Sequence, residues 1–230
     1  IPREMSSILN FDYSDIYLSG TSGISEITGT NNNLHLTNCS GILLVENNYG
    51  QIKLEKCAGD INIKSLSNII EIDNHSGDIK IKADYATIRL NNITGRVGIA
   101  NRSGDIEIKN SIVRNLDIPF SKLELRDIYA PGNLVNIKSR SSKFSFYNVQ
   151  SDLEIEADYT ELKFENVNGK FIFSGNSSSI NGSKFSGRGD FTTTYTDINI
   201  SNIETDAIRI INSSANIKLL FVEQPNQIYI

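Results

Sequence analysis

At 230 residues, 39% hydrophobic and 21% charged, the chain can bury a sizeable core, which excludes a disordered segment, and no apolar run approaches the roughly eighteen residues of a membrane-spanning helix. Two cysteines are too few for a disulfide scaffold. The net charge of −5, with both signs interspersed, points to neither nucleic acid nor an anionic membrane as partner.

The chain opens at Ile1 without an initiator methionine or a charged-then-apolar leader, as a mature or trimmed segment would. Residues 1–33 read as irregular N-terminal coils or a cap, with Ile16 and Leu18 as one early strand pair. From Leu34 onward, apolar residues in i, i+2 pairs recur every nine positions: Leu34/Leu36, Leu43/Val45, Ile52/Leu54, Ile61/Ile63, and so on without a slip to Ile106/Ile108. Period two with β-branched enrichment is the strand signal, whereas such pairs would scatter around a helical wheel. The stretch 111–142, with Pro119 and Pro131, holds a small insertion of about two residues over the frame. The frame returns at Phe144/Phe146 and persists to Ile217/Leu219, leaving 223–230 to finish the array.

Alternate nine-residue units differ. Five residues past the first apolar position, odd units carry Cys39, Cys57, His75, Ile93, Ile128, Val149, Val167, Phe185, Ile203 and Val222, while even units are polar there, as at Asn48, Asp84, Arg102 and Asp158. The full period is therefore eighteen residues, with two strands and two unlike corners. This predicts a right-handed parallel β-helix, or β-solenoid, as a single elongated domain over 1–230, with regular coils over 34–222. About ten coils at the strand spacing of ~4.8 Å give a rod on the order of 50 Å long.

In such an array each offset becomes a stacked column. Asn38, Asn74, Asn92, Asn110, Asp127, Asn148, Asn166 and Asn202 share one corner, where asparagine tolerates left-handed backbone and stacked amides bond from coil to coil. Gly41, Gly59, Gly77, Gly95 and Gly169 close that corner. Asp60 and Asp78 follow, with Arg96 continuing their column, and read as solvated corner residues; a calcium ladder would need a different glycine pattern. The outward residues run Lys53, Glu71, Arg89, Glu107 and Glu124, and the opposite charges stacked on adjacent strands favour correct stacking and disfavour a shift by one coil.

At the other corner large and small residues alternate: Tyr49, Ser67, Tyr85, Ser103, then Tyr159, Ser177, Tyr195, Ser214. Tyr49, Tyr85, Tyr159 and Tyr195 form a candidate binding stripe for a glycan or a protein, set against the competing reading that serine merely gives each packed ring room. No catalytic set, cofactor fingerprint or metal motif stands out. Cys39, Cys57 and His75 stack in a row instead of converging tetrahedrally, so they read as core, and parallel side chains aim the sulfurs poorly for a disulfide, favouring free thiols.

The segments AGDINI (58–63), SGDIKI (76–81) and SGDIEI (103–108) resemble a bacterial family of adhesin-type domains built from S-G-D-I-x-I units. The resemblance covers most of the chain from Leu34; after Ser111 the Gly-Asp signature recurs once, at Gly189-Asp190. It implies a right-handed β-helix, a cell-surface, extracellular or periplasmic location and an adhesive role, and it supplies no catalytic residues. The leading expectation is a non-enzymatic envelope module with an extended binding face and no cofactor. The alternatives are a self-assembling β-helix polymer and a carbohydrate-active β-helix enzyme.

Overall fold

The computed structural model describes residues 6–224 and 226–230. It is all-β, with parallel strands stacked as a β-solenoid of about 18 residues per turn, and no helix occurs among the described residues. The chain divides into two compact units, Ile1–Ile112 and Val113–Ile230.

The first unit is built from β1 (Ser7–Asp12), β2 (Asp15–Ser19), β3 (Ile24–Thr37), β4 (Ile42–Glu55), β5 (Ile61–Ser65), β6 (Asn68–His75), β7 (Ile79–Ala83), β8 (Thr87–Asn101) and the start of β9 (Gly104–Asp117), whose last five residues belong to the second. Leu34 pairs with Ile52, Ile52 with Ile70 and Ile70 with Ile88, so residues eighteen apart stand directly over one another. These four side chains are at most 1% exposed, and each contributes about 1.5–3 kcal/mol by leaving water. The same register already holds from Ser7, which pairs with Ser25, while Ile16 pairs with Leu34. Residues 7–33 are thus regular coils, disguised in sequence by fewer apolar residues.

The second unit contains β10 (Ser121–Arg140), β11 (Lys143–Asp158), β12 (Glu161–Asn168), β13 (Phe171–Asn176), β14 (Ser179–Ser186), β15 (Gly189–Thr194), β16 (Asp197–Glu204), β17 (Ala207–Ser213), β18 (Ile217–Phe221) and β19 (Gln227–Tyr229). Lys122 pairs with Lys143, twenty-one residues on, but Leu134 pairs with Asp152, eighteen on. Three extra residues are therefore absorbed between Tyr129 and Leu134, around Pro131 and Gly132, and the strands on either side stay in register. The core here is aromatic: the Phe171 ring lies 5.5 Å from Phe164 and 5.4 Å from Phe191. Room for these rings comes from Gly182, where a Cβ would lie 2.0 Å from the tip of Phe164.

The two corners use different chemistry. At the first, Asn38, Asn74, Asn92 and Asn110 are left-handed, with φ between 47° and 55°, and Asn92 Nδ2 donates to Asn74 Oδ1 at 3.1 Å. In the second unit Asn166 Nδ2 donates likewise to Asn148 Oδ1 at 3.0 Å. A Cβ on Gly59 would meet the Gly41 carbonyl oxygen at 2.0 Å, and one on Gly77 the Gly59 oxygen at 2.1 Å. That column is glycine because the coil beneath fills the space. The corner aspartates do more than face solvent. Asp78 Oδ1 accepts from the Arg96 backbone N–H at 2.9 Å and its Oδ2 accepts from the guanidinium at 2.6 Å. Arg96 thereby holds the Asp78 carboxyl below its usual range.

Outward charges pair in two ways. Arg89 reaches Glu71 of the neighbouring coil at 3.2 Å, whereas Lys53 bonds Glu55 two residues along its own strand at 2.7 Å, as does Lys109 with Glu107. Coil-to-coil pairing is thus real at Glu71–Arg89, and shorter within-strand pairs compete with it elsewhere.

Candidate functional site

The tyrosine corner is formed where the chain reverses between its two long faces, and a left-handed residue makes the bend. In the first unit Tyr49 and Tyr85 occupy that position with φ of 66° and 58°; in the second Tyr159 and Tyr195 do so at 51° and 52°. Their exposures, 46%, 60%, 58% and 64%, show that these rings stand out from the corner and do not fill it. Consecutive aromatics stand two strand spacings, about 10 Å, apart, too far for one ring to stack on the next.

Each unit adds an aromatic that the sequence reading passed over. Tyr13, at φ 53° and 81% exposed, lies two coils before Tyr49. In the second unit Phe120, at φ 61° and 54% exposed, lies two coils before Tyr159, as shown by the Phe120 N–H bonding to Arg140 O and the Ser141 N–H to Asp158 O. Tyr13 was findable by extending the frame backwards. Phe120 was hidden by the twenty-one-residue coil that separates it from Ser141. Between the rings lie Asn31 and Ser67 in the first unit, and Ser141 and Ser177 in the second, with Ser103 and Ser214 following the last ring of each.

Beneath the rings the corner is packed with buried polar side chains that sequence pattern did not reveal. Asn32 Oδ1 accepts from the Ser14 N–H at 3.0 Å, and Asn47 Nδ2 donates to the Tyr49 carbonyl at 3.0 Å. In the second unit hydroxyls take this role: Ser178 Oγ accepts from the Thr160 N–H at 3.0 Å, and Thr196 Oγ1 from the Ser178 N–H at 3.3 Å. These bonds satisfy backbone groups that a tight buried bend would leave unpaired, and they fix the Cα positions from which the rings project. Polar residues flank the rings outside. Asn33 Nδ2 donates to Asp15 Oδ1 at 2.8 Å, and the Tyr85 hydroxyl is the strongest influence raising the Arg102 guanidinium, which also lies 3.7 Å from Asp84.

Such a row offers a ligand flat apolar faces with polar tips. Among the described residues no set of three or more His, Cys, Asp or Glu side chains converges to hold a metal ion. Cys39, Cys57 and His75 do stack inward, at 8%, 5% and 2% exposure, and both cysteines are free thiols. Each thiol donates to a backbone carbonyl, Cys39 Sγ to Thr37 O at 3.4 Å and Cys57 Sγ to Glu55 O at 3.5 Å, and the neighbouring Cys39 together with burial pushes the Cys57 thiol up. His75 has no hydrogen-bond partner at either ring nitrogen, and burial pushes its pKa down. Val222, at the end of that inward column, is open to solvent. No protein-family model, no curated protein and no solved structure matches the chain.

Proposed function

We propose that this chain is a non-enzymatic binding module of the cell surface or envelope, adhesin-like in role, which presents its aromatic corner to a ligand. The observation that carries this reading is the contrast between the two corners. Left-handed residues recur at both. One uses asparagine, aspartate, lysine or glycine, while the other places a tyrosine or phenylalanine there in every second coil. A bulky residue at positive φ is strained, and exposed rings recover little of that cost by burial. An exposed aromatic ring at a strained backbone position is a candidate contact residue. The S-G-D-I-x-I resemblance supports the envelope location and the adhesive role.

The test is a screen of immobilised protein against glycan and protein arrays. It is run beside a variant carrying Tyr49→Asn, Tyr85→Asn, Tyr159→Asn and Tyr195→Asn, since asparagine suits the backbone of both corners. Binding that the variant loses while its melting curve is unchanged supports the reading; binding that survives in the variant refutes it.

A further inference from the structure

Taking the aromatic corner as the binding face, we infer that its ligand is a linear, unbranched β-1,4-linked hexose polymer lying along the stack of coils, with every second sugar seated on an aromatic ring. The argument is one of matching period. In the first unit Tyr13, Tyr49 and Tyr85 recur every two coils, a step of about 10 Å fixed by the strand spacing. In a flat β-1,4-linked chain each sugar is turned over relative to the last, so the same face and edge recur every second residue, at about the same step. A ligand with that repeat meets an equivalent ring at each period without bending. The surface of a globular protein without internal repeats has no such translational repeat along a straight line.

The residues between the rings fit the alternate sugars. Asn31 and Ser67 are short and polar, so a rigid chain can pass over them and bond to them. Two positions beyond this column stand Asp15, Asn33, Gln51, Ile69 and Thr87; all but the exposed Ile69 can donate to or accept from sugar hydroxyls along one edge. The axial C–H faces of a pyranose carry partial positive charge, and the tyrosine face is negative, so stacking is attractive while the phenol tip stays wet. The buried amides under the corner hold the three Cα positions before any ligand arrives, which lowers the ordering cost of binding. The second unit repeats the arrangement with Phe120, Tyr159 and Tyr195, separated by Ser141 and Ser177.

The experiment is titration calorimetry of the intact chain with cellotriose, cellopentaose, chitopentaose and maltopentaose, repeated on two double variants that alter both units alike, Tyr49→Asn with Tyr159→Asn and Tyr85→Asn with Tyr195→Asn. Three sugars span two rings of a unit and five span three. Cellopentaose or chitopentaose is therefore expected to bind at least about tenfold more tightly than cellotriose, as for one added contact of ordinary strength. Maltopentaose, whose α-linked chain curves, is expected to bind no better than cellotriose. Losing the end rings Tyr85 and Tyr195 leaves two adjacent rings in each unit, which three sugars already span, and is expected to abolish the gain from chain length. Losing the central rings Tyr49 and Tyr159 is expected to weaken triose and pentaose alike, with the melting curve held in both variants. Equal binding of maltopentaose, or no dependence on chain length, overturns the period match. If neither β-1,4 pentaose binds but another array ligand does so through the tyrosines, the ligand class is wrong and the binding face stands. Should β-1,4 oligomers bind equally to both variants, the aromatic corner itself is refuted.

Discussion

Tyr85 and Gly59 illustrate how differently two corner residues carry their position. The Tyr85 ring is 60% exposed at φ 58°, so exchanging it for asparagine trades a modest buried area for a better backbone fit. We expect Tyr85→Asn to change stability by no more than about 0.5–1 kcal/mol, read as a near-identical urea midpoint. Gly59→Ala is the opposite case, because the new methyl lands on the Gly41 carbonyl oxygen. The expected loss is about 1–3 kcal/mol or more, the scale of overpacking, measured by the same denaturation. His75 adds a pH dependence. The folded protein holds it neutral by burial, whereas the unfolded chain takes up its proton near pH 6.5. Its folded pKa is depressed, so the stability it allows is complete above about pH 6.5 and is lost as pH falls below that towards the folded value. His75→Ile, matching Ile93 one coil on, should flatten the melting temperature between pH 7 and 5. An unchanged slope would show that other groups set it.

At the level of strands, the i, i+2 apolar pairs were fully legible because period two and the eighteen-residue repeat are properties of composition along the chain. The regular coils of residues 7–33 were less so, since Ser7, Asn10 and Ser25 pair through backbone bonds that need no apolar side chain. Legible also was the column of Tyr49, Tyr85, Tyr159 and Tyr195, but neither its outward orientation nor the buried Asn32, Asn47, Ser178 and Thr196 beneath it. Whether a polar side chain at a bend turns in or out depends on which backbone groups lack partners, and that is decided between coils eighteen residues apart. Gly182 was equally silent in sequence. It faces the core opposite the Phe164 ring in the adjacent strand. Gly182→Ala is expected to destabilise by about 1–3 kcal/mol. Phe164→Leu, which withdraws the ring tip, should recover part of that loss in the double mutant, giving a coupling energy of roughly 0.5–3 kcal/mol by unfolding measurements. Additive losses would mean that Phe164 swings aside freely.

On the scale of the whole chain, each coil of a unit touches only the coil above and the coil below, so stability is a sum of nearest-neighbour terms. A lesion such as Gly59→Ala should therefore expose amides of residues about 40–80 to hydrogen exchange while β11 to β13 stay protected; uniform loss of protection would mean stronger coupling than stacking provides. The alternation of rings and small residues has a genetic corollary. Excising residues 50–67 removes one turn and preserves the apolar register, yet it sets Tyr49 against Tyr85 on neighbouring turns. Excising 50–85 removes two and restores the ring-then-serine order. Stacking register is preserved by gain or loss of one turn, whereas the ring-then-serine order is preserved only by gain or loss of two, so the expected unit of length change is twice the structural repeat.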